Sequence, residues 1–236
     1  MKRRLVLFDI DGTLLLSGGA GRRAILAALH EETGRDPAGA TSVRFDGKTD
    51  PQIVVELFAA VGHPPPYGSD HIGRVLDRYL FRLEADLAAN ASKATVMPGI
   101  RPLLDRLERD DRIVLGLLTG NVKAGATIKL KSVDLAPERF LVGAYGSDHA
   151  VRAKLPPIAI DRAMPFFGRP LHGDEIVIIG DTPDDITCGQ CVSARSIGVG
   201  TGAFRPAELL AVGATAAFDD LSDVDRAYHA IAGDLG

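Results

Sequence analysis

The stretch LVLFDIDGTLL, residues 5–15, decides the fold class of this chain. It begins as an apolar run of strand length and ends in two aspartates, a glycine and a threonine. A run that is apolar at every position, rather than at alternate positions, is typical of a strand covered by helices on both faces. We therefore expect a buried strand that delivers Asp9 and Asp11 to its carboxyl end.

Further apolar runs repeat this pattern along the chain, separated by stretches with helical periodicity. Strands are predicted at residues 4–8, 112–118, 139–145, 175–179 and 195–199, and helices at residues 99–109, 122–132, 156–166 and 183–192. Alternation of strands with helices specifies an α/β fold with a mostly parallel sheet and helices on both faces. In such a sheet the reactive groups gather beyond the carboxyl ends of the strands.

Residues 15–96 break this alternation, because they contain no convincing buried strand. Helical periodicity is present instead, at residues 20–33, 51–61 and 70–89. We predict an all-helical domain inserted at residues 15–96 into an α/β core made of residues 1–14 and 97–236.

The composition excludes several classes of protein. The chain has 236 residues, a net charge of −4 and a sequence pI near 5.9, so it carries no basic excess for a nucleic-acid partner. No apolar run approaches the roughly 18 residues of a membrane span. Two cysteines, Cys188 and Cys191, cannot form a disulfide framework and fit a reducing compartment. We expect a cytoplasmic protein with no nucleic-acid or membrane partner, and the sequence does not indicate its oligomeric state.

The two aspartates after the first strand predict a cation site. Side chains at i and i+2 of an extended backbone point to the same side, so Asp9 and Asp11 should project together. Adjacent carboxylates repel each other and need a cation or a shared proton. The alternative, a helix cap with a solvated turn, is weakened because the carboxylates end a wholly buried strand.

Two later strand ends carry further polar groups. Thr119, Gly120 and Asn121 follow one strand, where a hydroxyl and a free backbone N–H can hold an anion. Asp181 follows another strand and Asp185 comes four residues later. Carboxylates from separate strand ends suit a hard octahedral cation, and the candidate Mg²⁺ ligands are Asp9, Asp11, Asp181 and Asp185. Capping of the helix that starts at Pro183, by Asp181 or Thr182, is the competing interpretation.

These residues, in this order, resemble the haloacid dehalogenase superfamily, and specifically its phosphatases of the phosphoglycolate phosphatase type. The matching segments are Asp9 to Leu14, Thr119, Lys154 before a proline-containing helix, and Asp181 to Asp185. The resemblance implies that Asp9 is the nucleophile and Asp11 the general acid/base. It implies that Thr119 and Lys154 hold the phosphoryl oxygens and that Asp181 with Asp185 secures Mg²⁺. It also implies that residues 15–96 are a helical cap that selects the substrate.

The chain departs from the family pattern at two points. The family's lysine usually precedes a proline, whereas Leu155 follows Lys154 here, so Arg152 is an alternative base; we favour Lys154. The sequence TGN also leaves open whether Gly120 or Asn121 contacts the phosphate. In the cap segment 45–50, Lys48 either reaches the substrate or is an exposed turn lysine.

The resemblance implies a Mg²⁺-dependent phosphatase that hydrolyses a small phosphorylated metabolite, such as phosphoglycolate or a sugar phosphate, through an aspartyl-phosphate. Asp11 favours this chemistry, because an oxygen leaving group needs a proton whereas a halide does not. A phosphomutase of the same superfamily, similar to β-phosphoglucomutase, and a non-catalytic binding protein with this fold are the alternatives.

Overall fold

The structure is a computed structural model that describes residues 4–233. Its strands are β1 (Arg4–Phe8), β2 (Leu15–Leu16), β3 (Thr95–Val96), β4 (Ile113–Thr119), β5 (Val142–Tyr145), β6 (Ile176–Gly180), β7 (Arg195–Val199) and β8 (Ala216–Phe218). Its helices are α1 (Ala20–Thr33), α2 (Asp50–Ala60), α3 (Ser69–Ala89), α4 (Ile100–Glu108), α5 (Lys123–Ser132), α6 (Leu155–Phe167), α7 (Pro183–Cys188), α8 (Pro206–Ala211) and α9 (Val224–Ala232).

Six strands form one parallel sheet in the order β5-β4-β1-β6-β7-β8. The predicted α/β class with a parallel sheet is confirmed. Strand β1 lies near the middle and is buried along its whole length. Val6 and Phe8 belong to an apolar cluster with residues of α4, α5 and α9, whereas Leu5 and Leu7 belong to a second cluster with residues of α6. This two-sided burial explains why β1 is apolar at every position.

The helical segment between β2 and β3 packs as a unit of its own. Its helices α1, α2 and α3 share a third apolar cluster, to which Ala28, Phe58 and Leu83 contribute. Val122 of the sheet-bearing part joins the same cluster, so the unit is docked beside α5. Strands β2 and β3 pair antiparallel at the two ends of the unit. The boundaries at residues 14/15 and 96/97 stay a prediction.

Two predicted elements differ from the structure by three or more residues at one end. The strand predicted at residues 139–145 starts at Val142, because Pro137 begins a 3₁₀ turn that holds the next residues. The helix predicted at residues 183–192 ends at Cys188 and tightens into a 3₁₀ turn from Gly189, a residue of low helix propensity. None of the helices in residues 4–233 combines the length and apolar character that crossing a bilayer requires.

Candidate active site

Three carboxylates meet at the carboxyl ends of two neighbouring strands. Asp9 follows β1 directly, Asp181 follows β6, and Asp185 lies in the first turn of α7. Strands β1 and β6 are adjacent and parallel, so their ends lie at the same edge of the sheet. One oxygen from each of the three carboxylates lies within 4.8 Å of the others, and all three residues are buried. The structure therefore brings together three of the four predicted cation ligands.

Arg152 is the positive charge next to this triad. Its Nη2 donates a hydrogen bond of 2.9 Å to Oδ1 of Asp9 and also bonds Asp185. The guanidinium reaches the carbonyl oxygen of Leu118 at 3.3 Å, and the residue is buried. Arg152 thus links Asp9, at the end of β1, to Asp185 of α7.

The structure places Arg152 at the site, and not Lys154, which the sequence favoured as its base. Arg152 lines the cavity at the triad, whereas the side chain of Lys154 is exposed and does not line that cavity. The reason is local geometry. Residues 152–154 form a 3₁₀ turn before α6, and at three residues per turn two positions that are two apart face different sides.

The triad carries more negative charge than Arg152 balances. Three carboxylates against one guanidinium leave an excess of two charges in a buried site. Burial and the charge of Asp185 raise the pKa of Asp9 and, to a greater extent, that of Asp181. Such groups bind either protons or a cation. The donor set consists of hard oxygen atoms, so it fits a divalent cation such as Mg²⁺.

The chain makes room for Asp181 with two glycines. A Cβ atom on Gly202 would lie 1.8 Å from Oδ2 of Asp181, and one on Gly12 would lie 2.3 Å from it. Gly12 also has a positive φ of 79°, which ordinary residues rarely adopt. Thr13 donates from Oγ1 to Oδ1 of Asp181 at 3.2 Å. The turn after β1 therefore fixes the position of a carboxylate that follows β6.

Asp11 lies outside the carboxylate triad, so the structure does not bring its side chain to the other predicted cation ligands. Its Oδ2 accepts hydrogen bonds from Lys129 Nζ at 2.6 Å and from Asn121 Nδ2 at 2.8 Å. These partners draw the carboxylate towards α5 instead of towards Asp181. Asp11 still lines the same cavity as Asp9, and its side chain is 43% exposed.

The predicted anion-binding turn forms a connected network. Asn121 Nδ2 donates to Oγ1 of Thr119 at 2.9 Å, and Asn121 Oδ1 accepts from Lys129. Thr119 is fully buried. Gly120 has no side chain and can offer only its backbone to a ligand. All three residues of the turn line the cavity.

Capping accounts for part of the predicted pattern as well. Thr182 caps α7 by accepting a hydrogen bond from the backbone N–H of Asp185. Asp185 returns the contact, because its Oδ2 accepts from the N–H and the hydroxyl of Thr182. Asp185 therefore belongs to the cap of α7 and to the carboxylate triad at the same time.

Lys129 is not among the predicted site residues, although the sequence around it carries a signal. Val122, Ala126, Lys129 and Val133 recur at intervals of four, three and four residues and are all buried. A lysine within an apolar helical stripe is unusual, because its charge must be paired. The periodicity of the segment therefore marks this residue.

The helical unit between β2 and β3, here called the cap unit, contacts the turn at residues 119–121. The backbone N–H of Asp50 donates to the carbonyl oxygen of Gly120 at 2.8 Å, and Val122 N donates to Oδ2 of Asp50 at 2.9 Å. Thr49 Oγ1 donates to the carbonyl oxygen of Ala150 at 2.6 Å. Burial raises the pKa of Asp50 to about 6. The segment that enters α2 is thus held on the core by hydrogen bonds.

A cavity of about 710 Å³ lies between the cap unit and the sheet edge. Its floor contains Asp9, Asp181 and Arg152, and its cap side contains Lys48, Arg22 and Arg44. Lys48 forms an ion pair with Glu56 of α2, so it is a partly buried, paired residue. A cavity of this size holds a small molecule.

The sequence of this chain is similar to those of known hydrolases. The family model for haloacid dehalogenase-like hydrolases matches residues 6–190. A phosphoglycolate phosphatase of Pseudomonas fluorescens is 25% identical over 92% of this chain and 77% of its own length. One from Cereibacter sphaeroides is 28% identical over 80% of this chain and 82% of its own length.

A solved structure shares the fold over most of this chain. The structure of CbbY from Rhodobacter sphaeroides in complex with phosphate has a TM-score of 0.72 at 19% identity, and the match covers 94% of this chain and 96% of that one. This similarity confirms the fold, and the family match confirms that the protein is a hydrolase. The chain belongs to the family of haloacid dehalogenase-like hydrolases.

Proposed function

We propose that this protein is a phosphatase that hydrolyses the phosphate monoester of a small metabolite with the help of Mg²⁺. The observation that carries the proposal is the buried triad of Asp9, Asp181 and Asp185 with Arg152 beside it, at the floor of a cavity large enough for such a substrate. Carboxylates bind the cation, and the cation and the guanidinium together suit a phosphate dianion.

Asp9, Asp181 and Asp185 are the residues that would hold Mg²⁺. When bound, the ion neutralises the repulsion between a carboxylate and a phosphate dianion. The excess of two negative charges in the triad supports a divalent cation over a monovalent one. Gly12 and Gly202 keep the space that Asp181 needs to join this set.

Asp9 is the proposed nucleophile. One of its carboxylate oxygens attacks phosphorus, the bond from phosphorus to the ester oxygen breaks, and the phosphoryl group becomes attached to Asp9. Arg152 holds Oδ1 of Asp9, which fixes the plane of the carboxylate. The attack therefore starts from a preset orientation, which lowers its entropic cost.

Asp11 is the proposed acid and base. In the first step it gives its proton to the departing alkoxide. In the second step it takes a proton from water, whose oxygen attacks phosphorus, so that inorganic phosphate leaves and Asp9 is regenerated. Asp11 suits this role because it lines the cavity and is partly exposed, whereas Asp9 is buried.

Arg152 and Thr119 are the proposed side-chain contacts of the phosphoryl oxygens, because the amide of Asn121 already donates to Asp11 and Thr119. Thr119 ends β4, Arg152 lies in the 3₁₀ turn before α6, and both residues are buried. Donors fixed in a buried site stabilise developing charge without having to reorganise. The backbone of Gly120 completes this side of the site.

The substrate is proposed to be a small anionic phosphate ester of the phosphoglycolate or sugar phosphate class. Two observations support this. The relatives reported above carry the name phosphoglycolate phosphatase. The cap side of the cavity presents Lys48, Arg22 and Arg44, which favour a second negative or polar group on the substrate.

The test is a panel of phosphorylated metabolites assayed with Mg²⁺ for release of inorganic phosphate. Hydrolysis that stops with EDTA and in Asp9→Asn supports the proposal. Asp184→Asn is the matched control, because Asp184 neighbours Asp185 on α7 but is exposed and outside the triad. Transfer of phosphate within a sugar without release indicates a phosphomutase, and no turnover of any ester indicates a binding protein.

A further inference from the structure

Lys129 is a buried cation in α5 to which the proposed mechanism gives no part. Only 5% of its side chain is exposed, and its Nζ lies 2.6 Å from Oδ2 of Asp11 and 2.6 Å from Oδ1 of Asn121. Placing an ammonium group in an apolar stripe costs free energy that an apolar residue would avoid. A role in the site explains why the position holds a lysine.

Lys129 fixes which way the amide of Asn121 faces. The ammonium group has donors only, so the atom of Asn121 that it contacts must be the amide oxygen. The amide nitrogen then faces Asp11 and Thr119, to which it donates at 2.8 Å and 2.9 Å. One lysine therefore sets the direction of two further hydrogen bonds.

Lys129 and Asn121 both bind the same oxygen of Asp11. Their hydrogen bonds end on Oδ2, and no residue in the described part of the chain donates a hydrogen bond to Oδ1. The carboxylate is thus held by one oxygen, and the side chain as a whole lines the cavity and is 43% exposed. This is the arrangement that a proton-transferring carboxylate requires, because the exchanging oxygen must be free and its direction fixed.

The cap unit surrounds the same ammonium group. A Cβ atom on Gly21 of α1 would lie 3.4 Å from Nζ of Lys129 and 3.9 Å from the hydroxyl of Tyr79. Asp50 of α2 is a further negative charge that acts on Lys129. The lysine is therefore enclosed by the core on one side and by three cap helices on the other.

We propose that Lys129 is a positioning residue that holds Asp11 by one oxygen and directs the other towards the ester and the attacking water. The inference rests on the proposed phosphatase function. Lys129 touches no reacting atom and acts through Asp11 and Asn121. Its loss should slow both steps in which Asp11 transfers a proton.

The experiment compares leaving groups, because positioning of an acid matters only where the leaving oxygen needs a proton. 4-Nitrophenolate leaves without protonation, whereas an alkoxide such as that of glycerol phosphate does not. We expect Lys129→Met to lower kcat for the alkyl ester by about 10- to 100-fold, a part of the usual contribution of a general acid. With 4-nitrophenyl phosphate, the initial burst of nitrophenolate release should keep its rate in Lys129→Met, because this leaving group needs no proton. The steady-state rate should fall, because Asp11 must still take a proton from water in the second step.

Two further variants make the result specific. Lys129→Arg keeps the charge and should restore part of the rate. If circular dichroism shows that Lys129→Met is unfolded, Lys129→Arg is assayed in its place. Lys131→Met removes an exposed lysine from the same helix and should behave as wild type.

Equal slowing of the nitrophenolate burst and of alkyl ester turnover would overturn the proposal, since a structural defect affects both. A rise in KM with unchanged kcat would also overturn it, because that result indicates direct substrate binding. Unchanged turnover of the alkyl ester by Lys129→Met would also overturn the proposal. Failure of the proposed function looks different, since the wild type itself would then release no phosphate.

Discussion

Oδ1 of Asp9 and Nη2 of Arg152 lie 2.9 Å apart, although 143 positions separate the two residues in the chain. The guanidinium is buried with the carboxylate and binds Asp185 as well. A charge-assisted bond of this kind is strong and directional. It is the contact that joins the turn before α6 to the end of β1.

Replacement of Arg152 tests which basic residue serves the site. We expect Arg152→Met to lower kcat/KM by about 10²- to 10³-fold, the usual effect of losing one fixed donor to developing charge. Lys154→Met should leave kcat/KM unchanged, because the side chain of Lys154 is exposed away from the cavity. Steady-state kinetics of both purified variants provide the comparison. The reverse order of the two effects would return the role to Lys154.

Binding of Mg²⁺ should stabilise the folded protein. A ligand that binds only the folded state adds about 2.7 kcal/mol to the free energy of unfolding at 100 times its dissociation constant. Thermal melting with and without Mg²⁺ measures this effect independently of activity. Asp185→Asn should remove most of the shift, whereas Asp184→Asn should retain it. A shift of the same size in Asp185→Asn would place the cation elsewhere.

The meeting of the three carboxylates illustrates what the sequence allows to be predicted. Asp9 and Asp181 each follow a continuously apolar run, and the parallel sheet predicted from those runs puts all strand ends at one edge. Their convergence depends on topology, which a pattern of apolar residues encodes over many positions. The short strands β2, β3 and β8 contain two or three residues each, so no pattern could reveal them.

The direction of single side chains was less predictable. Arg152 and Lys154 differ by two positions within one 3₁₀ turn, and a change of register by one residue would change which of them faces the cavity. Asp11 was expected beside Asp9, but a lysine from α5 draws its carboxylate away. Contacts of this kind depend on how separate elements pack, and only the periodicity around Lys129 gave a hint of them.

The pKa of Asp50 predicts a pH dependence of stability. Burial raises it to about 6 from a reference value of 3.8, so between these values the folded state holds a proton that the unfolded state lacks. The stability due to this group is therefore present below pH 3.8 and is lost as the pH rises through 6. At 1.36 kcal/mol per pKa unit the loss amounts to about 3 kcal/mol.

Asp50→Asn isolates this effect, because an amide oxygen can still accept from Val122 N but does not titrate. The difference in free energy of unfolding, variant minus wild type, should grow by up to about 3 kcal/mol between pH 4 and pH 7. Urea unfolding with EDTA at several pH values measures it. Asp46→Asn, in an exposed position of the same segment, should show no such trend. A flat difference for Asp50→Asn would mean that its carboxyl titrates normally.

Because Gly202 lies against Asp181, we expect Gly202→Ala to weaken cation binding selectively. A Cβ atom at position 202 would lie 1.8 Å from Oδ2 of Asp181, so Gly202→Ala must displace this carboxylate from the triad. We expect the dissociation constant for Mg²⁺, measured by calorimetric titration, to rise by at least about 10-fold, because changing a residue that positions a metal ligand typically costs that much affinity. Gly73→Ala is the control, since nothing lies within 4 Å of its Cβ position and alanine favours its helix by about 0.5–1 kcal/mol. Unchanged Mg²⁺ binding in a folded Gly202→Ala protein would show that Asp181 does not hold the ion.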